Sequence, residues 1–143
     1  MKKDIYNNIA VKVSIPPQFV NSNTTLTGTG VDTKGYESVC FAFASGTQAG
    51  SASANVHTFE IQESDSSDTG FTAVADADLL PTTTPEASAV LTGATDNTVT
   101  KVGYIGAKRY VRAVDTVTGF TTAGGSIVGL VILSHANIAS TGA

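Results

Sequence analysis

Charge and cysteine are both scarce in this chain of 143 residues. Charged side chains make up only 14% of it, well below the ~25% of an ordinary soluble domain. Cys40 is the single cysteine, which excludes the intramolecular disulfides that hold many small secreted domains together. We therefore expect the protein to be synthesised and to fold in a reducing cytoplasm.

Long apolar runs and basic clusters are missing as well. The longest apolar stretch, residues 127–133, is far shorter than the ~20 residues of a membrane helix. Polar residues interrupt the first dozen positions, so the apolar core of a secretory signal, about 7–15 residues long, is not expected there. The net charge is −4 and the basic residues are scattered, whereas nucleic-acid binding needs a clustered positive surface. The sequence predicts neither a membrane nor a nucleic-acid partner.

Threonine, serine, glycine and alanine take the place of charge, and they predict short strands joined by polar turns. The clearest alternation places Val39, Phe41 and Phe43 on one face of a strand, with Cys40 and small residues on the other. The first of these faces is predicted to be core. Further strands are expected at residues 56–62, 71–74, 88–92, 97–105, 108–118 and 126–134.

About eight short strands with no room for crossover helices predict an all-β fold, an antiparallel two-sheet β-sandwich of jelly-roll or immunoglobulin-like kind. Residues 1–20 are interpreted as an N-terminal arm or edge strand, because Pro16 and Pro17 lack backbone donors. Residues 21–143 are predicted to form one domain. Residues 102–105 and 108–114 are expected to pair as a hairpin across Gly106.

The connections are predicted from composition. Residues 63–70 are expected to form an exposed acidic hairpin loop, and residues 46–53 a flexible loop. Residues 75–80 fit one helical turn that ends before Pro81, and residues 81–88 fit a surface loop. Residues 21–35 are expected to contain at most one short strand.

Residues that could carry chemistry are few. His57 and His135 are the only histidines, and no zinc-binding spacing surrounds them. His57 is in phase with Phe59 and Ile61, which predicts a partly buried strand residue. No Gly-x-Ser-x-Gly motif is present, and the acids at 65, 68, 76 and 78 lack the spacing of a calcium loop. We therefore predict no catalytic residue, no metal site and no cofactor.

Two stretches carry a family resemblance. Residues 59–65 read Phe-Glu-Ile-Gln-Glu-Ser-Asp and are followed by Phe-Thr-Ala-Val at 71–74 and Asp-Ala-Asp-Leu-Leu at 76–80; residues 102–114 form the second stretch. Both resemble small proteins encoded beside the major capsid gene of many tailed bacteriophages, and the likeness covers about residues 36–136. The resemblance implies a virion structural protein, a capsid decoration or cement protein, and brings no catalytic residue with it.

From this resemblance we expect a non-enzymatic protein on the outer surface of the virion capsid, synthesised in the host bacterial cytoplasm. Its expected partner is the major capsid protein, whose subunits it would bridge. A carbohydrate-binding or adhesin-like module of a head fibre or tail is the alternative, although the lack of tryptophan weakens it. A hydrolase that uses His57 with the acidic loop is a further rival.

The last strand also predicts a homo-oligomer, a dimer or trimer. It is apolar on both faces, whereas a strand of an antiparallel sandwich normally has one face in water. Its second face is therefore expected to be covered by another subunit, together with the N-terminal segment. The predicted interface residues are Val128, Leu130, Ile132, Ile9 and Val11.

Overall fold

The fold is an all-β sandwich, as the composition and alternation predict. The structure, a computed structural model, describes residues 4–48, 56–80, 88–92, 97–120 and 124–137. Eleven strands and two short 3-10 turns, Tyr6–Asn8 and Asp76–Asp78, account for the regular elements of these residues. The strands are β1 Ile9–Val20, β2 Thr24–Thr27, β3 Val31–Asp32, β4 Tyr36–Gln48, β5 Val56–Ser64, β6 Thr72–Ala73, β7 Leu79–Leu80, β8 Ser88–Thr92, β9 Val99–Tyr104, β10 Tyr110–Thr118 and β11 Gly125–Ala136.

The strands form two antiparallel sheets. Sheet A has the order β1-β11-β4-β9-β7. Sheet B has β10 and β5 at its centre, with β2 and β3 beside β10 and with β6 and β8 beside β5. None of the helices among the described residues is long and apolar enough to cross a membrane.

The core lies between the two sheets, where alternate residues of each strand point inward. Phe41 and Phe43 of β4 are fully buried, which confirms the predicted core face. The ring of Phe43 stacks on that of Phe59 from sheet B, with centroids 4.0 Å apart. On the same inner face, Val131 of β11 pairs with Phe41 and is also fully buried.

The first strand lies at an edge of sheet A and pairs along its length with β11. The pairing register shifts on both sides of Ile15, next to the two prolines, as expected where backbone donors are lost. Ser14 at this point is completely buried. Its hydroxyl donates to the carbonyl of Thr29 at 3.1 Å and accepts from the amide of Ala113 at 2.9 Å. This side chain therefore connects β1 to the neighbouring sheet.

The hairpin predicted for residues 102–114 is wrong. β9 belongs to sheet A and β10 to sheet B, so the connection passes from one sheet to the other. The hydroxyl of Tyr104 supports it by accepting from the amide of Lys108 at 3.0 Å and donating to Glu63 at 2.6 Å. A Cβ on Gly106 would collide with the Tyr104 ring. Glycine is needed at position 106 because the Tyr104 ring occupies the space of a Cβ, and not because the chain makes a tight hairpin turn.

Other connections follow the sequence more closely. Residues 63–70 form the predicted hairpin loop, because β6 pairs back onto β5. The helical turn expected near residue 76 is a single 3-10 turn that leads into β7. Two short strands, rather than at most one, occur between residues 21 and 35, and β4 continues to Gln48. The remainder of the loop predicted at 46–53 and most of the one predicted at 81–88 lie outside the described residues.

The two faces of β4 should respond differently to truncation. We expect Phe41→Ala to lower the free energy of unfolding by about 3–5 kcal/mol, because a completely buried ring leaves a cavity. Cys40→Ala should cost about 1 kcal/mol or less, since only one sulfur is removed from a half-buried side chain. Urea denaturation of both variants measures the difference. Equal losses would contradict the assignment of the two faces.

Candidate functional site

A polar cluster formed by Gln48, His57 and Asp115 lies in the interior of the described part of the chain. All three side chains are buried, with His57 1% and Asp115 0% exposed. Gln48 is the last residue of β4 in sheet A, whereas His57 and Asp115 belong to the adjacent strands β5 and β10 of sheet B. His57 pairs with Val117, two residues beyond Asp115, so the two polar side chains meet diagonally on the inner face.

The hydrogen bonds of this cluster define its protonation. Nδ1 of His57 lies 2.7 Å from Oδ2 of Asp115, and Nε2 lies 3.2 Å from Oε1 of Gln48. The amide nitrogen of Gln48 donates to the carbonyls of Ser126 at 3.0 Å and of Gly46 at 3.4 Å. The oxygen of Gln48 is therefore the atom that faces His57, and Nε2 must carry a proton to donate to it.

The remaining proton lies between His57 and Asp115. Burial raises the pKa of Asp115 above its ordinary value, although the hydrogen bond from His57 opposes this. The backbone of Thr58 also lies toward the carboxyl, but Oδ1 has no hydrogen-bond partner within the parts of the chain that the structure describes. A neutral carboxyl tolerates such burial better than a carboxylate. Nδ1 of His57 and Oδ2 of Asp115, 2.7 Å apart, therefore share this proton, and the cluster as a whole carries no net charge.

Packing around the cluster closes it to solvent. The His57 ring stacks on Phe59, with centroids 6.2 Å apart, and meets the edge of Phe120 at 5.4 Å. A Cβ on Gly125 would collide with the carboxamide of Gln48, so glycine is required beside it. Both imidazole nitrogens are occupied by partners within the protein. The arrangement links the two sheets and does not present a base to a substrate.

The sequence indicated only part of this cluster. His57 is completely buried, so the prediction of a partly buried histidine is wrong in degree. Its carboxylate partner is Asp115 of β10, and the acidic loop that the rival hydrolase hypothesis invoked takes no part. The available signal was the inward phase of β10, in which Val111, Ala113, Asp115 and Val117 alternate with outward residues. An acid at an inward position predicts a buried polar partner.

The other candidate residues do not come together. Asp65 pairs with Lys108 at the surface, and Asp68 and Asp76 are exposed. His135, the last residue but one of β11, is exposed, and its Nδ1 forms a hydrogen bond of 2.8 Å with the hydroxyl of Ser38. Within the described ranges, no three His, Cys, Asp or Glu side chains are grouped so that they could hold a metal ion.

A polar depression of about 390 Å³ lies between residues 33–39 and 104–109. Two of its basic side chains are already paired. Arg109 donates to both carboxylate oxygens of Asp32, at 2.9 and 2.6 Å, and this partner lowers the pKa of Asp32 to about 2. Lys108 pairs with Asp65. The depression therefore offers little uncompensated positive charge to an anion.

The outer face of sheet A is the principal apolar surface of the described residues. Val11 is 51%, Val13 48% and Val99 66% exposed, and Leu80 is also exposed. The rest of the face is half-buried, apart from Ala42, which its larger neighbours cover. We call this surface the outer apolar face, and its members are Val11, Val13, Cys40, Ala42, Ala44, Leu80, Val99, Val128, Leu130 and Ile132.

The register arranges this face in rows across the sheet. One row runs from Val11 through Ile132 and Cys40 to Gly103 and Leu80. The next runs from Val13 through Leu130 and Ala42 to Lys101, and the third joins Val128, Ala44 and Val99. Of the five interface residues that the sequence predicts, four lie in these rows. Ile9 pairs with Ser134 at the end of the same face.

The outer face of sheet B is polar by contrast. Arg112 donates through two nitrogens to the side-chain oxygen of Gln62, at 2.9 and 2.7 Å, and Gln62 donates to Glu60 at 2.6 Å. Thr58 and Thr116 pair on the same face. One side of the sandwich is thus typical of a solvated surface and the opposite side is not.

The protonation of Asp115 has a measurable consequence. Because burial raises the pKa of Asp115 above 3.8, the folded protein gives up the carboxyl proton at a higher pH than the unfolded chain does. The stability that this group contributes is therefore lost as the pH rises through its raised pKa. Asp115→Asn cannot ionise and can still donate to Nδ1 of His57. We expect the free energy of unfolding of this variant, measured in urea between pH 4 and 8, not to show this loss as the pH rises.

The exposed acid Asp76 provides the matched control for this experiment. Asp76→Asn removes one carboxyl without touching the cluster, so its pH profile should follow that of the wild type. Parallel profiles for the wild type and Asp115→Asn would show that folding does not raise the pKa of Asp115.

Comparison with known proteins gives no family assignment. The chain matches no protein-family model, and no curated protein is significantly similar to it. The closed polar cluster and the outer apolar face are the two features of the described residues from which we infer a function.

Proposed function

We propose that the protein is a virion structural protein that decorates the outer surface of a capsid and stabilises the shell. The observation that carries this proposal is the outer apolar face of sheet A, whose exposed members include Val11, Val13 and Val99. Such a face is covered in proteins that work as parts of assemblies. The resemblance of residues 36–136 to small proteins encoded beside phage capsid genes is the reason for proposing a capsid as this assembly.

The size of the face supports a role in assembly. The three rows contain five, four and three positions, and at a strand spacing of about 4.8 Å and a row spacing of about 6.8 Å they cover roughly 400 Å². The largest apolar patch of a typical monomer is about 300–600 Å² and is often functional. Lys101 is the only charged residue within the three rows. A surface this large and this poor in charge fits a protein–protein contact.

The proposed mechanism needs no reaction. A protein that binds the assembled shell and not its free subunits stabilises the shell by its binding free energy. Many copies on one particle multiply this effect. The closed cluster of Gln48, His57 and Asp115 supports the same role indirectly, because it joins the two sheets into one rigid unit.

The adhesin-like alternative receives no comparable support. Sugar-binding surfaces commonly stack a sugar ring on an exposed aromatic side chain. Two aromatic side chains, Tyr6 and Phe19, are exposed, but neither belongs to the three rows of the outer apolar face, whose most exposed members are aliphatic. We therefore retain the structural role as the proposed function.

Particles that lack this protein provide the test. Purified protein should sediment with such particles in a saturable amount and should raise the temperature at which they release their DNA. Binding is measured by co-sedimentation and DNA release by dye fluorescence during heating. A lack of binding, or binding with an unchanged release temperature, would contradict the proposed function.

A further inference from the structure

We propose that the outer apolar face is covered by a second copy of this chain, so that sheet A of one copy packs on sheet A of the other across a two-fold axis. This inference rests on the proposed function in one respect, since both concern the outer apolar face. It adds the identity of the partner that covers this face. It does not require a capsid, and it can be tested with the purified protein alone.

The first argument is the distribution of bulk over the two central strands. β11 presents a ridge of large side chains, Val128, Leu130 and Ile132. The neighbouring strand β4 presents a trough of small side chains at the paired positions. The pairs are Val128 with Ala44, Leu130 with Ala42, and Ile132 with Cys40.

A surface that has a ridge beside a trough is complementary to the same surface of a second copy. A two-fold axis parallel to the strands, midway between β11 and β4, places the ridge of each copy over the trough of the other. Stacked sheets pack about 10 Å apart, which suits a large side chain facing a small one. A depression of about 420 Å³ lies at one end of the trough, lined in part by Pro17, Ala44 and Gly46. Under this symmetry the second copy's Val128 faces it.

Charge does not oppose this packing. Lys101 lies on β9, one strand beyond the trough, and therefore about 7 Å from the proposed axis. The two copies of Lys101 then lie on opposite sides of the axis, about 14 Å apart in the plane of the sheets. That distance exceeds the Debye length of about 8 Å at physiological salt, so their repulsion is largely screened. Each Lys101 is near the rim, where its amine reaches water.

The area is sufficient for a dimer. The three rows and the adjoining row of Ile9, Ser134 and Ser38 contain fifteen positions, and at about 33 Å² for each position the two copies together contribute about 1,000 Å², the lower limit for a specific protein–protein interface. An isologous contact of this kind uses one surface twice and closes on itself. A dimer could then occupy a two-fold position of a shell, with the remaining surfaces of each copy free to contact it.

The two-fold geometry makes a residue-specific prediction. Val13 and Lys101 are at opposite ends of one row, so the axis brings Val13 of one copy over Lys101 of the other. Val13→Glu should therefore add two ion pairs and tighten the dimer about two- to fivefold for each pair. Adding Lys101→Glu to that variant should replace attraction with repulsion and weaken the dimer below the wild type.

The experiment is sedimentation equilibrium of the purified full chain over a range of concentrations. We expect a mass of about twice the 14.6 kDa of one chain, and a shift to monomer for Leu130→Asp. Thr116→Asp, on the polar outer face of sheet B, is the matched control and should leave the dimer unchanged. Circular dichroism establishes whether each variant is folded. If Leu130→Asp does not fold, the Val13 and Lys101 variants decide the question, because both positions are exposed.

The outcomes separate this inference from the proposed function. A monomeric wild type at about 100 µM would overturn the dimer, as would a dimer that neither Leu130→Asp nor the double variant weakens. If the wild type is monomeric and Leu130→Asp abolishes binding to particles, the shell covers the face, and the proposed function stands without the dimer. If the dimer forms as described but does not bind particles, the proposed function fails and this inference stands.

Discussion

Packing of aromatic rings between the two sheets is the interaction on which the rest of the structure depends. Phe43 of sheet A stacks on Phe59 of sheet B at 4.0 Å, and Phe41 and His57 extend the contact on either side. Rings of this size bury the largest apolar areas in the chain. Their position also requires small partners beside them, which explains why Gly129 of β11 lies next to Phe43 and why a Cβ there would be crowded by Ile15.

The aromatic column also explains how a polar cluster can exist in the core. The His57 ring continues the stack, and its two nitrogens point sideways to Asp115 and Gln48. A neutral hydrogen-bonded chain costs far less to bury than separated charges would. Because Gln48 belongs to sheet A and its two partners to sheet B, the cluster also fixes how the two sheets align at this end.

The sequence predicts the sandwich well, because period-two alternation reports directly which face of a strand is buried. Phe41, Phe43 and the phase of β5 follow from that pattern alone. The crossing between β9 and β10 could not be predicted in the same way, since a short glycine-containing link fits a hairpin as well as a passage between sheets. The side chain of Tyr104 stabilises the passage between the sheets, and its contact with Glu63 joins residues far apart in the sequence. The hydrogen bond between His57 and Asp115 could not be predicted for the same reason, because these two residues are also far apart in the sequence.

The two central strands of sheet A, β4 and β11, place their large side chains on opposite faces of the sheet. β4 places its large side chains, Phe41 and Phe43, inside and its small ones outside. β11 leaves room inside at Gly129 and carries Leu130 and Ile132 outside, where they contribute nothing to the contact between the sheets. Core packing therefore explains the inner faces of both strands but not the large apolar side chains on the outer face of β11. A polar or charged residue there would leave the core intact and would face water at lower cost. The second copy that we propose as the cover of this face accounts for the apolar character of those positions.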